Sequence, residues 1–149
     1  MWLGKDRLIV VGEDGNEGLF ILTVAAAPTV TPIGSPGLGQ PGAAPHRPSV
    51  SPDGNSIAYV QGDVVWRIGV DGSGLQQLTL AKVGATWPTW SPDGSQIALV
   101  DFDVCGGFKT PDVMVISAAS TNQDLTQATR VTRNNGASVR SCGPIYWLP

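Results

Sequence analysis

The sequence contains the same motif twice, forty residues apart. Residues 48–60 read PSVSPDGNSIAYV and residues 88–100 read PTWSPDGSQIALV. In each copy, Ser-Pro-Asp-Gly combines a proline that fixes φ with a glycine that accepts a positive φ, and an apolar run follows. This order predicts a tight turn that leads into a β-strand. A period of about forty residues is typical of repeat architectures.

Extending the motif in both directions gives a unit of four short strands. In the second copy, we predict strands at 48–51, 57–60, 64–70 and 75–79, and the third copy repeats this order with longer connections. The first copy is degenerate but keeps the same sequence of strands. We therefore predict one all-β domain over 1–149, with units at about 1–33, 48–80 and 87–132, a linker rich in Gly and Pro at 34–47, and the lead-in strand of a further unit at 144–149.

Composition agrees with many short strands joined by turns. Only 14% of the 149 residues are charged, whereas 19 are glycine and 12 are proline, a combination that differs from average soluble domains. The formal net charge is −3 and there is no run of Lys and Arg, which argues against nucleic acid and anionic membranes as partners. No apolar stretch reaches the ~20 residues of a membrane-spanning helix. Low charge and abundant Thr, Ser, Asn and Gln resemble exported proteins, so we expect a periplasmic, cell-surface or secreted location.

The repeated motif resembles a known propeller repeat. Pro-x-Trp-Ser-Pro-Asp-Gly-x-x-Ile-Ala-x-Val, followed by Asp-Gly-Ser-Gly and Leu-x-x-Leu-Thr, is similar to the WD-like repeat of the TolB family, which also occurs in propellers of prolyl-oligopeptidase-type peptidases and LpqB-type lipoproteins. The resemblance implies a β-propeller with blades of four antiparallel strands, six or seven to a ring. Three blades cannot close a ring alone. Either the chain is part of a longer polypeptide, or two copies meet as half rings, or a neighbouring subunit covers the open edges.

The residues of the repeated turn are interpreted as structural. Asp53 and Asp93 lack the Asp-x-Asp-x-Asp-Gly pattern of a Ca²⁺ loop, and each is predicted to fix its own turn by accepting backbone N–H bonds. Ser51 and Ser91 recur with the repeat, whereas a nucleophilic serine occurs once and has a histidine partner. The one histidine, His46, falls in the linker. The repeated structural residues are Ser51, Pro52, Asp53, Gly54, Trp90, Ser91, Pro92, Asp93, Gly94 and Trp147, and we predict no catalytic, cofactor-binding or metal-binding residue among them.

The five tryptophans allow two interpretations. They could form an aromatic binding platform, but Trp90 and Trp147 recur at the lead-in strand, so we expect them to pack between blades. Trp87 is outside that register and is the aromatic residue that we expect to be exposed. With Asp101 and Asp103 in the insertion of the third copy, Trp87 forms our set of possible exposed binding residues.

The sequence does not determine the redox state of its two cysteines. Cys105 and Cys142 both lie in glycine-containing loops at equivalent ends of one repeat. They are either two free thiols or a disulfide, because pairing cannot be read from the sequence alone.

Three functions fit these observations. The first is a noncatalytic protein-binding or scaffold module without cofactors, which contacts other subunits or a second copy across its open blade edges. The second is the gating propeller of a peptidase whose hydrolase domain lies elsewhere, for which a Gly-x-Ser-x-Gly motif would be decisive. The third is a structural subunit of a larger assembly or filament, joined through its edges by β-augmentation.

Overall fold

The computed structural model describes residues 1–12, 17–35, 38–39, 43–80, 84–101, 112–132 and 144–147. Within these ranges, twelve strands form three four-stranded antiparallel sheets, each built from strands that are consecutive in the chain. We call the sheets blade 1, blade 2 and blade 3. The chain is therefore all-β, and its three sheets have the form of a partial propeller, as the repeat predicts.

Each blade is an up-and-down meander. Blade 1 contains β1 (Trp2–Leu3), β2 (Arg7–Gly12), β3 (Gly18–Thr23) and β4 (Thr29–Ile33); blade 2 contains β5 (His46–Val50), β6 (Ser56–Gln61), β7 (Val64–Gly69) and β8 (Gln76–Gln77); blade 3 contains β9 (Ala85–Trp90), β10 (Gln96–Asp101), β11 (Val113–Ser117) and β12 (Thr129–Arg130). A short 3-10 helix, Leu125–Gln127, precedes β12, and its N-cap Asp124 accepts a hydrogen bond from the Thr126 amide. None of the helices in the described part of the chain is long and apolar enough to cross a membrane.

The blades stack through apolar faces. Ile57, Tyr59 and Ile68 of blade 2 are fully buried in one cluster with residues of blade 1, among them Leu3, Ile9, Leu19 and Ile33. The other face of blade 2, with Ala58, Val60 and Val65, joins a second cluster with blade 3. Because successive side chains of a strand point to opposite faces, β6 and β7 each contribute to both clusters. A central blade therefore needs near-continuous apolar strands, as in the SIAYV run at 56–60.

Blade 3 also covers the outer edge of blade 2. The backbone around Asn122 and Gln123 bonds to Gln77, Leu78 and Leu80, and Thr79 forms a parallel bridge with Gln123. An uncovered edge strand exposes unpaired N–H and C=O groups. The connection at 119–128, which is longer than its counterpart in blade 2, satisfies these groups.

Two regions differ from the predicted strands. β5 begins at His46 and β9 at Ala85, so both lead-in strands begin before the prolines that open the motif. Both strands have a register irregularity next to a residue with positive φ, Arg47 (φ 52°) and Trp87 (φ 53°). In contrast, residues 144–147 form no strand. A strand needs a paired neighbour, and the segment lies against the face of blade 3 instead of beside another strand.

Candidate functional site

The two Ser-Pro-Asp-Gly turns have the same hydrogen-bond geometry. In blade 2, Ser51 Oγ donates to Asp53 Oδ1 (2.5 Å) and accepts from the Ser56 amide (2.9 Å), while the Asn55 amide donates to Asp53 Oδ1 (3.0 Å). This is an Asx turn in which the serine and the aspartate both bind backbone N–H groups. Gly54, at φ 72°, occupies the left-handed region that closes the turn.

The turn of blade 3 repeats these bonds with its own residues. Ser91 Oγ donates to Asp93 Oδ1 (2.6 Å) and accepts from the Gln96 amide (3.0 Å), and the Ser95 amide donates to Asp93 Oδ1 (3.0 Å). Gly94 has the same φ of 72° as its counterpart, and Pro52 and Pro92 are both exposed. The hydroxyls of Ser51 and Ser91 are thus occupied by structural bonds.

These bonds keep both aspartates ionised. The Ser91 hydroxyl and the Ser95 amide and hydroxyl lower the pKa of Asp93 from 3.8 to about 2. The Ser51 hydroxyl and the backbone and side-chain groups of Asn55 lower the pKa of Asp53 in the same way. Hydrogen bonds donated to the charged form of a carboxyl group favour that form. Each turn therefore carries a fixed negative charge.

A cleft of about 460 Å³ separates the two turns. Its lining includes Ser51, Pro52 and Asp53 of blade 2, Asp93 and Gly94 of blade 3, and the indole of Trp90. The structure thus brings most of the repeated motif residues together at one end of the interface between blades 2 and 3.

Arg67 lines the cleft and joins the two blades. Its Nη1 donates to the Ala118 carbonyl of blade 3 (2.8 Å), and its Nη2 donates to Gln76 Oε1 (2.6 Å). Gln76 in turn donates through Nε2 to the Ser120 carbonyl (3.0 Å) and to Thr121 Oγ1. Arg67 was not among the predicted site residues, although an arginine within the apolar strand VVWRIGV is a signal that could have singled it out.

Trp90 is an aromatic contact between blades 2 and 3. Its side chain is 8% exposed and belongs to the core cluster of blades 2 and 3. Its Nε1 donates to the Ser49 carbonyl of blade 2 (3.0 Å). A buried indole thus supplies both apolar contact and a satisfied hydrogen bond.

Trp147 makes the equivalent contact one blade further along the chain. Its Nε1 donates to the Thr89 carbonyl of blade 3 (3.3 Å), and Thr89 lies in blade 3 where Ser49 lies in blade 2. Ile145, Tyr146 and Trp147 line a groove of about 260 Å³ on the face of blade 3. Residues 144–147 therefore carry the tryptophan contact of a lead-in segment without being a strand.

The prediction that Trp87 is exposed is wrong. Trp87 is half-buried, and the guanidinium of Arg47 lies 4.5 Å from the centre of its ring. Arg47 Nη1 also donates to Thr86 Oγ1. Trp2, at 60% exposed, is far more accessible. The prediction assumed regular alternation along the strand, which the irregularity in β9 interrupts.

The remaining predicted residues form no site that the structure describes. Asp101 ends β10, and its side chain lies outside the described residues, as do Asp103, Cys105 and Cys142. The expectations of an ion site and of a disulfide therefore remain predictions. His46 lies in β5, where its Nδ1 is 3.2 Å from the Ala44 carbonyl. Among the described residues, no three His, Cys, Asp or Glu side chains are grouped so that they could hold a metal ion.

Comparison with solved structures finds similarity to TolB proteins. A chain described as TolB from Agrobacterium tumefaciens is 18% identical with a TM-score of 0.47, over 62% of this chain and 31% of its own length. TolB from Acinetobacter baumannii is 16% identical with a TM-score of 0.34, over 84% of this chain and 40% of its own length. No family model and no curated protein matches the sequence. The chain thus spans less than half the length of these structures, and its assignment as a partial propeller rests on the three sheets.

Proposed function

We propose that the chain is a noncatalytic, extracytoplasmic protein-binding or scaffold module whose end blades contact another protein. The observation that carries this proposal is the distribution of exposed apolar side chains. Of the large apolar residues exposed in the described part of the chain, only Leu75 belongs to blade 2. The others lie in blade 1 or its loops, or in and after blade 3: Met1, Trp2, Val24, Val30, Val131 and Tyr146.

Such a distribution has a physical reason. Blade 2 has a neighbouring blade on both faces, whereas blades 1 and 3 each have a described neighbouring blade on one face only. Contiguous exposed apolar surface is typical of protein interaction sites, and burying it is favourable by roughly 25 cal/mol per Å². The resemblance of the motif to TolB-like repeats and the export-like composition also support the proposal.

Site-specific photo-cross-linking tests this function. The photoreactive residue p-benzoylphenylalanine replaces Val30 in blade 1 or Val131 after β12, and Leu75 in blade 2 is the control because it is also exposed. After irradiation of cells that produce the protein, we expect protein adducts at positions 30 and 131 and few at 75. Equal labelling at all three positions, or no adducts at 30 and 131, would contradict a role for the end blades in binding.

A further inference from the structure

We propose that blade 2 carries a binding site for an extended, glycine-containing protein segment, and that the connection between blades 1 and 2 occupies this site as a displaceable strap. The site consists of Tyr59, Gln61 and Trp66. The strap is residues 34–45, of which the structure describes 34–35, 38–39 and 43–45. The site is separate from the end blades, so the inference goes beyond the proposed function.

The three site residues share one face of blade 2. Tyr59 pairs with Trp66 across β6 and β7, and Gln61 lies two residues after Tyr59 in β6, so their side chains point to the same side. On this side, Ile57 and Ile68 pack against blade 1. Tyr59 and Gln61 are fully buried, and Trp66 is half-buried. The site therefore continues the interface between blades 1 and 2 toward the end of β6.

The repeat itself requires neither this site nor the strap. At the equivalent positions of blade 3, β10 has Leu99 and Asp101, and Met114 pairs with Leu99. The connection between the last strand of blade 2 and the first of blade 3 spans only 78–84, whereas the strap spans 34–45. The long connection and the residues it contacts are thus additions to the basic four-stranded unit.

Gln61 binds the strap through backbone groups. Its Nε2 donates to the Ala43 carbonyl (2.7 Å), and its Oε1 accepts from the Gly39 amide (3.2 Å). A glutamine amide has the same donor and acceptor as a peptide unit, and main-chain hydrogen bonds supply affinity in the recognition of extended peptides. A segment of another protein can offer Gln61 the same N–H and C=O groups.

Trp66 makes the site selective for glycine. A Cβ atom at position 39 would lie 2.5, 2.6 and 2.7 Å from Cε3, Cζ3 and Cδ2 of the Trp66 ring. Gly39 has no positive φ, so the contact with the ring, and not the backbone conformation, excludes a side chain. The ring is held by a hydrogen bond from Nε1 to the Gln61 carbonyl (3.2 Å). The indole therefore accepts a peptide backbone where the bound segment has a glycine.

Two features make the docked strap costly. Leu38 has φ 42°, a conformation that is rare for a bulky residue and stores strain. Tyr59 Oη is buried without a hydrogen-bond partner among the described residues, and a buried, unpaired hydroxyl destabilises the state that buries it. Burial raises the pKa of Tyr59, and the nearby Gly39 amide, which lowers this pKa, donates to Gln61 instead. A partner segment that is unstrained, or that offers Tyr59 Oη a carbonyl, binds the site without one of these costs.

The strap is able to leave without breaking a sheet. Its described residues belong to no strand, and segments with few buried contacts open at low free energy. A partner must compete with the docked strap, because the apparent affinity of a site falls with the fraction of molecules in which the site is open. The strap thus acts as an inhibitor that is part of the same chain.

The Trp66 indole N–H resonance in a ¹⁵N correlation spectrum reports whether the strap is docked, and Trp66→Phe assigns it. We expect Gly39→Ala to shift this resonance, because the added methyl group meets the ring and releases the strap. Gly18→Ala in blade 1 is the matched control: its Cβ would lie 3.3 Å from the Phe20 ring, and the Trp66 resonance should not move. Far-UV circular dichroism checks that both variants keep their β-structure.

A synthetic peptide of residues 34–45, added up to about 1 mM because the strap competes at a millimolar effective concentration, then tests the site. In the Gly39→Ala chain, the peptide should return the Trp66 resonance to its position in the unmodified chain. The unmodified chain should bind the peptide at least about 10-fold more weakly, since its own strap fills the site. A peptide with the Gly39→Ala change should leave the resonance of both chains unchanged.

Every other outcome overturns the inference. A Gly39→Ala chain that loses its β-structure would make the strap a fixed part of the fold, and an unshifted Trp66 resonance would show that the strap stays docked. A peptide that does not bind the released chain, or a Gly39→Ala peptide that binds equally well, would exclude the glycine-selective site. The cross-links expected at positions 30 and 131 do not depend on Trp66, so the proposed function would stand.

Discussion

Asp53 and Asp93 occupy equivalent positions in consecutive blades, and each stabilises its turn through the same hydrogen bonds. Each accepts hydrogen bonds from a serine hydroxyl two residues before it and from a backbone amide two residues after it. Their role could be predicted from sequence, because Pro, Asp and Gly each favour one position of a tight turn for a separate reason. The Ser51 and Ser91 hydroxyls, which bridge the two ends of each turn, explain why serine precedes the proline in both copies.

The lowered pKa of Asp93 predicts a pH dependence of stability. A carboxyl group whose pKa is lower in the folded state stabilises the fold above its unfolded pKa, and this stabilisation is lost as the pH falls through the folded value. For Asp93, the window lies between 3.8 and about 2. We expect Asp93→Asn to lower the free energy of unfolding at neutral pH, and the difference from the unmodified protein to shrink as the pH falls through this window.

Urea unfolding at a series of pH values measures this difference. Ser91→Ala is the matched variant, because it keeps the Asp93 charge but removes the largest cause of its lowered pKa. The difference in the free energy of unfolding between Ser91→Ala and the unmodified protein should begin to shrink in the same pH window. If the free energy of unfolding of Asp93→Asn differed from that of the unmodified protein by a constant amount down to pH 2, the Asp93 carboxylate would not stabilise the turn.

At the scale of strands and blades, cohesion comes from two kinds of contact across an interface. Apolar faces form the core clusters that span the interfaces, while Arg67, Gln76 and Trp90 supply side-chain bonds to backbone carbonyls of the neighbouring blade. The apolar faces could be predicted from the alternating pattern of the strands. The bonds of Arg67 could not, because Ala118 is 51 residues away and no local pattern relates the two positions.

Replacing Arg67 should weaken the interface between blades 2 and 3. Arg67→Gln removes the bond to the Ala118 carbonyl and leaves the Gln76 amide oxygen without its arginine donor. Because the side chain is only partly buried, we expect a loss of about 1–2 kcal/mol in the free energy of unfolding. Lys5→Gln on the exposed turn after β1 is the control, and urea unfolding is the measurement. A loss no larger than that of the control would show that Arg67 does not join the blades.

At the scale of the molecule, the repeat made the fold class predictable. It did not predict the burial of Trp87 or the conformation of residues 144–147. A forty-residue period and turn chemistry are local properties, so the all-β architecture with four-stranded units follows from them. The burial of Trp87 was not predictable, because it depends on the irregularity in β9 and on Arg47 from the neighbouring blade. Nor was the placement of 144–147, since a lead-in sequence becomes a strand only when another strand pairs with it.

The stacking of consecutive blades through the repeated tryptophan is tested most directly by hydrogen exchange of the indole N–H groups. The five tryptophans give five resonances in a ¹⁵N correlation spectrum, assigned by single substitutions to phenylalanine. Trp90, buried and bonded to the Ser49 carbonyl, should exchange slowest, and Trp2, at 60% exposed, should exchange among the fastest. If the Trp90 indole exchanged as fast as that of Trp2, blades 2 and 3 would not be stacked in this way.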